Sequence, residues 1–521
     1  MFIDLREYTG PAKVDADICI VGAGAAGITL ALELDGTSRN VCVLESGTFR
    51  YDVETQSLAE GENIGLPNYD LSASRLRIFG GTTHHWAGIG RPLDPLDFEQ
   101  RDQIPYSGWP ITRESLDQYY ERAAIYCQRP NNYDPEFWAT PDAPLLPDNG
   151  GRLETKIMFE HPVRFGRDYR KRLDESGNVR VFLAANVTEF RTVENGDSVN
   201  FVDAKTLTGK TLSVSAHTVV VAAGALENAR LLLCSNSTYA GGIGNDHDLV
   251  GRFFMEHPLV PTMEMQLAST DTNLSLYTGQ SRDGVRVKGY LTLAAKIIRE
   301  EGLLNACATL RIGGADQRIA KSLPGILSAI AIWNSIKEGG LPPNFRAHIG
   351  KLLSDMNRVM IYSYQRAFMR SPDTASIVVQ LEQAPNPDSR IMLTDETDKL
   401  DLRKIALDWR MGELERHSIQ RFGELMALEV GRADLGRIRL LPPNEDGWWA
   451  GMRGSWHHMG TTRMHSDPTQ GVVNADCRVH GIDNLYIAGS SVFTTCGFAN
   501  PTPTIVALAV RLADHIKGLT T

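Results

Sequence analysis

Asp17-Ile-Cys-Ile-Val-Gly-Ala-Gly-Ala-Ala-Gly27 decides how this chain is read. An apolar run ends in glycines at positions 22, 24 and 27, and an apolar stretch with helical period follows to Leu34. Val41-Cys-Val-Leu-Glu45 then reads as a second buried strand, which makes the segment a β-α-β unit. Gly22 allows the tight turn, Gly24 lets the backbone approach a pyrophosphate, and Gly27 permits close packing of helix on strand. Ala25 and Ala26 open the helix, whose N-terminal N–H groups face the phosphates. Glu45, followed by Ser46, ends the second strand where an acidic side chain accepts hydrogen bonds from ribose hydroxyls. The same carboxylate disfavours a 2′-phosphate, so the expected ligand is FAD or NAD rather than NADP.

Length and charge exclude several other classes. A chain of 521 residues exceeds what one core usually fills, so two or more lobes are expected. The net charge of −10 is spread out with no Lys/Arg block, which argues against a nucleic-acid partner. Seven scattered cysteines without Cys-x-x-Cys spacing fit neither a disulfide framework nor a metal site, and point to reduced thiols in the cytoplasm. The start lacks a signal-peptide pattern, and no apolar run reaches the ~18 residues of a spanning helix. The most apolar stretch, Leu323–Trp333, reads as a buried or subunit-contact helix, or else as a lid or a surface admitting lipophilic substrates. Nothing in the sequence sets an oligomeric state.

Further glycine-rich segments follow. Arg77-Ile-Phe-Gly-Gly-Thr-Thr-His-His-Trp-Ala-Gly88 reads as a loop, and His217-Thr-Val-Val-Val-Ala-Ala-Gly-Ala-Leu-Glu-Asn-Ala-Arg230 as a buried strand, a glycine turn and a helix start. Near the other end are Trp456-His-His-Met-Gly-Thr461, Asn484-Leu-Tyr-Ile-Ala-Gly-Ser-Ser-Val492 and Cys496-Gly-Phe-Ala-Asn-Pro-Thr502. With Gly108-Trp-Pro-Ile111, these motifs stand in the order found in the glucose-methanol-choline (GMC) oxidoreductase family, which the chain resembles over nearly its whole length. The motif flavour is nearest to bacterial sugar and glycoside members of the pyranose-oxidase type.

The resemblance implies FAD as cofactor. It places Gly80, Gly81, Thr82, His85, Trp86 and Ala87 along the flavin, with Val187, Ala223 and Gly224 from the middle of the chain. Gly489, Ser490, Asn500, Pro501 and Thr502 contribute from the C-terminal segments. Many members carry Asp where this strand-loop has Gly489, so a backbone contact is expected to replace that carboxylate. His85 matches a histidine that in pyranose-oxidase-like members can be joined covalently to the flavin; packing against the ring is the commoner role, and His84 is a weaker candidate.

The resemblance also assigns the chemistry. His-x-x-Gly-Thr aligns His457 with the family's catalytic histidine and Asn500 with its partner. A carbinol losing hydride to flavin N5 must lose its hydroxyl proton to a base, which histidine supplies near neutral pH. Asn500 can hold the same oxygen through its amide hydrogen but cannot act as a base. Asn500-Pro501 before the apolar periodicity of Ile505–Ile516 reads as N-cap and first helical position, with the positive helix end toward the flavin. If residues 457 and 458 are extended, their side chains diverge, so only one faces the flavin: His457 is the first choice and His458 the alternative, with His458 otherwise facing substrate. Gln383, on an apparent strand, is a further candidate for holding a substrate hydroxyl, and Glu256-His257-Pro258 reads as the segment that closes the flavin lobe. No metal-ligand spacing competes.

The expected fold is α/β: a Rossmann-like FAD-binding lobe and a substrate lobe on a mainly antiparallel sheet. Residues 1–95, 180–255 and 455–521 should form the first, and 96–179 with 256–454 the second, with a helical excursion at about 317–370. The expected reaction is oxidation of a small-molecule hydroxyl to a carbonyl, on a sugar, glycoside or polyol, with oxygen or another acceptor taking the electrons. An aliphatic or aromatic alcohol is the alternative substrate, and a non-redox lyase of the hydroxynitrile lyase type the alternative reaction.

Overall fold

Ile18, Cys19, Ile20 and Val21 are buried on both faces of the strand Lys13–Val21. A strand so enclosed belongs to a parallel sheet covered by helices. In the computed structural model this strand lies mid-sheet, and residues 1–519 are described apart from 68, 148, 149, 283 and most of 313–372, where only 328, 332 and 345–354 are described. In spatial order the sheet runs Phe2–Asp4, Val179–Leu183, Val41–Leu44, Lys13–Val21, Thr211–Val221, Val199–Lys205 and Asn186–Thr192, with Leu485–Ile487 also on Thr211–Val221. Pairing is parallel except where residues 186–221 double back as an antiparallel meander. The helix Ala25–Leu34 packs against the C-terminal helix Thr502–Gly518, so opposite ends of the sequence share one layer.

A second sheet is antiparallel throughout. It runs Gly436–Leu440, Leu259–Leu267, Thr374–Leu381, Ala306–Ile312, Val285–Leu293, Leu153–Glu160 and Ile89–Gly90, with Gln280–Arg282 on the edge of Val285–Leu293. The helix Glu413–Arg432 covers it with Ile419, Phe422, Met426 and Val430, one stripe at helical spacing. A third sheet of three strands joins Arg390–Thr397 and Arg403–Asp408 to Gly61–Asn63. This is the expected α/β architecture with an antiparallel companion sheet. Two short strands cross the expected segment limits: Ile89–Gly90 joins the antiparallel sheet, and Gly61–Asn63 pairs with Arg403–Asp408. Two or three polar or glycine-rich residues carry no periodicity, so only the partner strand defines them. Most of the 317–370 excursion, including most of Leu323–Trp333, lies outside the described residues, although a helix occupies Phe345–Ser354. Among the described residues, no helix is long and apolar enough to cross a membrane.

One buried charged pair fastens the loop after Phe98 to the antiparallel sheet. Arg101 Nη1 and Nη2 donate to Glu382 Oε2 and Oε1 at 2.9 and 2.6 Å, and both side chains are almost wholly buried. Beside them Asp97 is pushed up to about 8 by burial and by the Glu382 charge, so it is protonated at neutral pH and adds no second negative charge. Asn305 Nδ2 donates to Asp97 at 2.8 Å, and the Thr495 hydroxyl donates to the Asp97 carbonyl. Gly497 lies so close that an added Cβ would stand 2.3 Å from Asp97 Oδ2. The seam therefore sets the path of residues 495–500.

Arg101→Met leaves Glu382 buried and uncompensated, and is expected to destabilise the protein by about 3–5 kcal/mol. Adding Glu382→Leu should recover much of that loss. Denaturant midpoints of the three proteins test it: a single variant as stable as wild type would show that the seam is not held by this pair.

Candidate active site

The strands of the parallel sheet end on a cavity of about 530 Å³. Gly22, at φ +99°, makes the turn out of the first strand, where any Cβ would meet the Ala222 carbonyl oxygen at 2.7 Å. Gly27 lies beneath the turn, and its Cβ would stand 1.9 Å from the Gly22 carbonyl oxygen. These two glycines serve packing. Gly24, Gly224 and Gly489 line the cavity, and a Cβ added at any of them would meet nothing within 4 Å. Three separate segments thus bring bare backbone to the same open space.

Donors converge on it as well. The helices beginning at Ala25, Ala225 and Thr502 all start at the cavity wall, and none has a side-chain cap on its first N–H groups. Uncapped helix starts carry unsatisfied donors and partial positive charge, which suits an anionic group. Glu45 Oε2 accepts from the Ala23 N–H at 2.7 Å and Oε1 from the Gly47 N–H at 2.8 Å. Burial raises the Glu45 carboxyl above its ordinary range, against the pull of those amides and of Arg77. Its remaining lone pairs are free for ribose hydroxyls. This donor and acceptor set fits a dinucleotide cofactor.

Most of the expected contacts line the same cavity: Ala25, Ala26, Ser46, Gly81, Thr82, His85, Trp86, Ala87, Val187, Ala223, Ser490, Pro501 and Thr502. Gly27 and Gly80 do not. Gly80 packs on the Gly166 backbone, which an added Cβ would approach to 2.5 Å. His84 Nε2 is engaged by the Phe79 carbonyl at 2.8 Å, whereas His85 Nε2 is buried without a partner among the described residues. Burial, helped by Arg164, pushes the His85 imidazole down to about 4. Sequence reasoning missed the arginines at the wall: Arg75 and Arg77 donate to Glu227 at 2.9 and 2.6 Å. Against the cost of burial, Arg77, Arg230 and Arg75 hold Glu227 down to about 2. Glu227 lies in the segment His217–Arg230, where an acid just after the glycine turn is the available signal.

His457, His458, Gln380 and Asn500 form the far end. His457 Nδ1 lies 3.0 Å from His257 Nδ1, and among the described residues its Nε2 has no partner. The His458 ring diverges as expected: its Nε2 lies 2.9 Å from the Tyr69 hydroxyl, which also donates to Glu256 Oε2. Burial drives His457 well below the usual imidazole range and His458 to about 3, so both rings are neutral in the free site. Glu256 accepts the backbone N–H of His457 and of His257 through Oε1, at 2.8 Å each, and burial pushes its carboxyl up to about 7.

Asn500 is not an N-cap. The helix starts at Thr502, and Asn500 Oδ1 instead accepts from Gln380 Nε2 at 2.9 Å. That bond orients the amide, and Asn500 Nδ2 is left without a partner among the described residues. Gln383 is also placed differently from expectation. It is fully buried, its Oε1 accepting from the Glu256 N–H and Trp409 Nε1 and its Nε2 donating to the Arg410 carbonyl. Strand alternation turns Gln380 to the cavity, and Gln383, beyond the strand end, to the core.

Comparison with known proteins identifies two domains. Residues 385–509 match the family model described as GMC oxidoreductase, and residues 17–236 the model described as FAD dependent oxidoreductase. The chain thus carries a GMC oxidoreductase domain in its C-terminal part and an FAD dependent oxidoreductase domain in its N-terminal part. FAD is its cofactor. Over an alignment of 574 residues it is 24% identical to 2-methyl-1,2-propanediol dehydrogenase of Mycolicibacterium austroafricanum, covering 96% of this chain and 95% of that protein. The large subunit of fructose dehydrogenase from Gluconobacter japonicus is 24% identical, with 96% and 98% covered. A C-glycoside 3-oxidase of Arthrobacter globiformis is 33% identical over 119 residues, 23% of this chain and 20% of that one. Among solved structures, pyridoxine 4-oxidase from Mesorbium loti shares the fold with a TM-score of 0.58 at 15% identity, covering 97% of this chain and all of the other.

The glycine geometry separates two variants of one motif. Gly24→Val should fold with an unchanged apoprotein melting temperature yet fail to take up FAD. Gly27→Ala should fail to yield folded protein, because its Cβ has no room. Flavin absorbance and melting curves read both; FAD retained by Gly24→Val would remove the cofactor from this cavity wall.

Proposed function

We propose that this GMC oxidoreductase oxidises a hydroxyl of a sugar, glycoside or polyol to a carbonyl, with His457 as base and Asn500 as the group that holds the oxygen. One observation carries the assignment of roles. His257 occupies His457 Nδ1 and Gln380 occupies Asn500 Oδ1, so among the described residues these two side chains offer the cavity one acceptor, His457 Nε2, and one donor, Asn500 Nδ2. An alcohol that becomes a carbonyl needs that pair: its proton is taken by the acceptor while its oxygen keeps the donor. FAD, when bound, supplies the two-electron acceptor for the hydride. Burial keeps His457 neutral and therefore able to receive the proton at neutral pH. His458 is held by Tyr69 and contributes shape and polarity to the substrate side. The relatives named for propanediol, fructose and C-glycosides support the choice of a polyhydroxylated substrate over an aliphatic or aromatic alcohol. Seven unpaired cysteines, six of them buried, support a reducing, cytoplasmic setting.

Anaerobic titration of the purified yellow protein with glucose, methyl β-glucoside, glycerol, 1,2-propanediol and benzyl alcohol should bleach the flavin with one of the polyhydroxylated compounds. Readmitted air then separates an oxidase from a dehydrogenase. His457→Ala should keep its FAD and bleach about 10²–10⁴-fold more slowly, while His458→Ala should lose no more than about tenfold, the worth of one neutral hydrogen bond. Bleaching by benzyl alcohol alone would reject the sugar reading, and full activity in His457→Ala would reject the base. His85 is read as packing against the flavin, so acid precipitation should release free FAD; a pellet that stays yellow would show a bond to His85 Nε2 instead.

A further inference from the structure

We infer that His257 is a positioning residue that fixes the tautomer of His457, using the backbone carbonyls of the Cys496–Gly497 loop as its reference. The inference rests on His457 being the base. A carbonyl oxygen only accepts, and His257 Nε2 lies 3.3 Å from the Cys496 carbonyl, with the Gly497 carbonyl beside it. Nε2 of His257 therefore carries a hydrogen. The ring is fully buried and held neutral, so its Nδ1 carries none. His457 Nδ1 lies 3.0 Å from that bare nitrogen, and two lone pairs do not approach so closely. The hydrogen between them must be on His457 Nδ1, which leaves Nε2 of His457 with its lone pair toward the cavity.

The arrangement of the two rings suits the role. They meet edge-on at 84° with centroids 5.0 Å apart, which aims the N–H of one at the lone pair of the other. Glu256 Oε1 accepts both backbone N–H groups, and Ser455 Oγ donates to the His257 carbonyl at 2.7 Å, so neither residue is free to slide. A hydrogen-bond acceptor behind the distal nitrogen raises the basicity of the nitrogen in front, as it does for histidines that bind metals. When His457 takes the proton, its bond to His257 becomes charge-assisted and strengthens. The loop that provides the reference carbonyls also carries Asn500, so base and oxygen holder share one support.

Asn and Leu have nearly the same size, and Asn Oδ1 stands where His Nδ1 stood. His257→Asn and His257→Leu therefore remove the same ring but differ in the acceptor. In holoenzyme labelled with ¹⁵N-histidine, with the His457 signals identified by their loss in His457→Ala, wild type and His257→Asn should show hydrogen on Nδ1 of His457. His257→Leu should show hydrogen on Nε2 or a mixture. With the sugar or polyol that bleaches wild type, His257→Leu should lower kcat about 10–100-fold at nearly constant KM, and His257→Asn should restore it to within about threefold. FAD content should be equal in the two variants. Hydrogen on Nε2 of His457 in wild type, or identical spectra and rates in His257→Asn and His257→Leu, would overturn the inference. His457→Ala retaining wild-type bleaching would instead sink the base assignment, a separate failure.

Discussion

Backbone N–H groups can surround a phosphate only where no side chain stands between, and this requirement organises the molecule. Three helix starts, at Ala25, Ala225 and Thr502, meet at one cavity with bare glycine backbone at 24, 224 and 489. For three helices to point there, three strands must end there, and the order Val41–Leu44, Lys13–Val21, Thr211–Val221, Leu485–Ile487 brings those ends together. Gly22 and Gly27 contribute at one remove. They let helix and strand approach closely enough for the first helix to aim correctly.

Desolvation rules the rest of the cavity. His85, His257, His457 and His458 are all driven toward the neutral form because a charged imidazole there would lack water. Several buried charges are paired: Arg75, Arg77 and Arg230 gather around Glu227, Arg230 also meets Asp398, and Arg101 holds Glu382. A site of neutral hydrogen-bonding groups beside matched ions suits a reaction in which a proton and a hydride leave the same alcohol. The base must be uncharged before the reaction and tolerate charge after it. A neutral histidine backed by a second neutral histidine meets both demands.

Much of the site was legible because its chemistry needs rare residues at fixed spacing. Gly22, Gly24 and Gly27 are constrained by contacts within a few residues, and Glu45 by the strand that follows. His457 and Asn500 were readable only through resemblance, since a histidine before a glycine has no meaning in local physics alone. Glu256 and His257 read as a closing segment, whereas they hold the backbone and the ring of His457. Gln383 reads as a cavity residue while Gln380 is the glutamine that lines the cavity, because strand phase cannot be counted past a strand end that the sequence does not mark. Asn500 read as an N-cap because Asn-Pro is a common helix start; its carbonyl was instead claimed by Gln380 from another sheet.

The sequence by itself determined the β-α-β cradle and a dinucleotide cofactor, because these follow from periodicity and from glycines whose neighbours are close in the chain; FAD and the antiparallel companion sheet were legible only through the family resemblance. Only the tertiary structure decided which ring meets His457 Nδ1, which glutamine holds the Asn500 amide, and that Arg101 and Glu382 share a seam. Those outcomes depend on pairs separated by a hundred residues or more, such as His257 with His457 and Gln380 with Asn500. No local pattern encodes them, since each side chain takes the partner that burial leaves within reach.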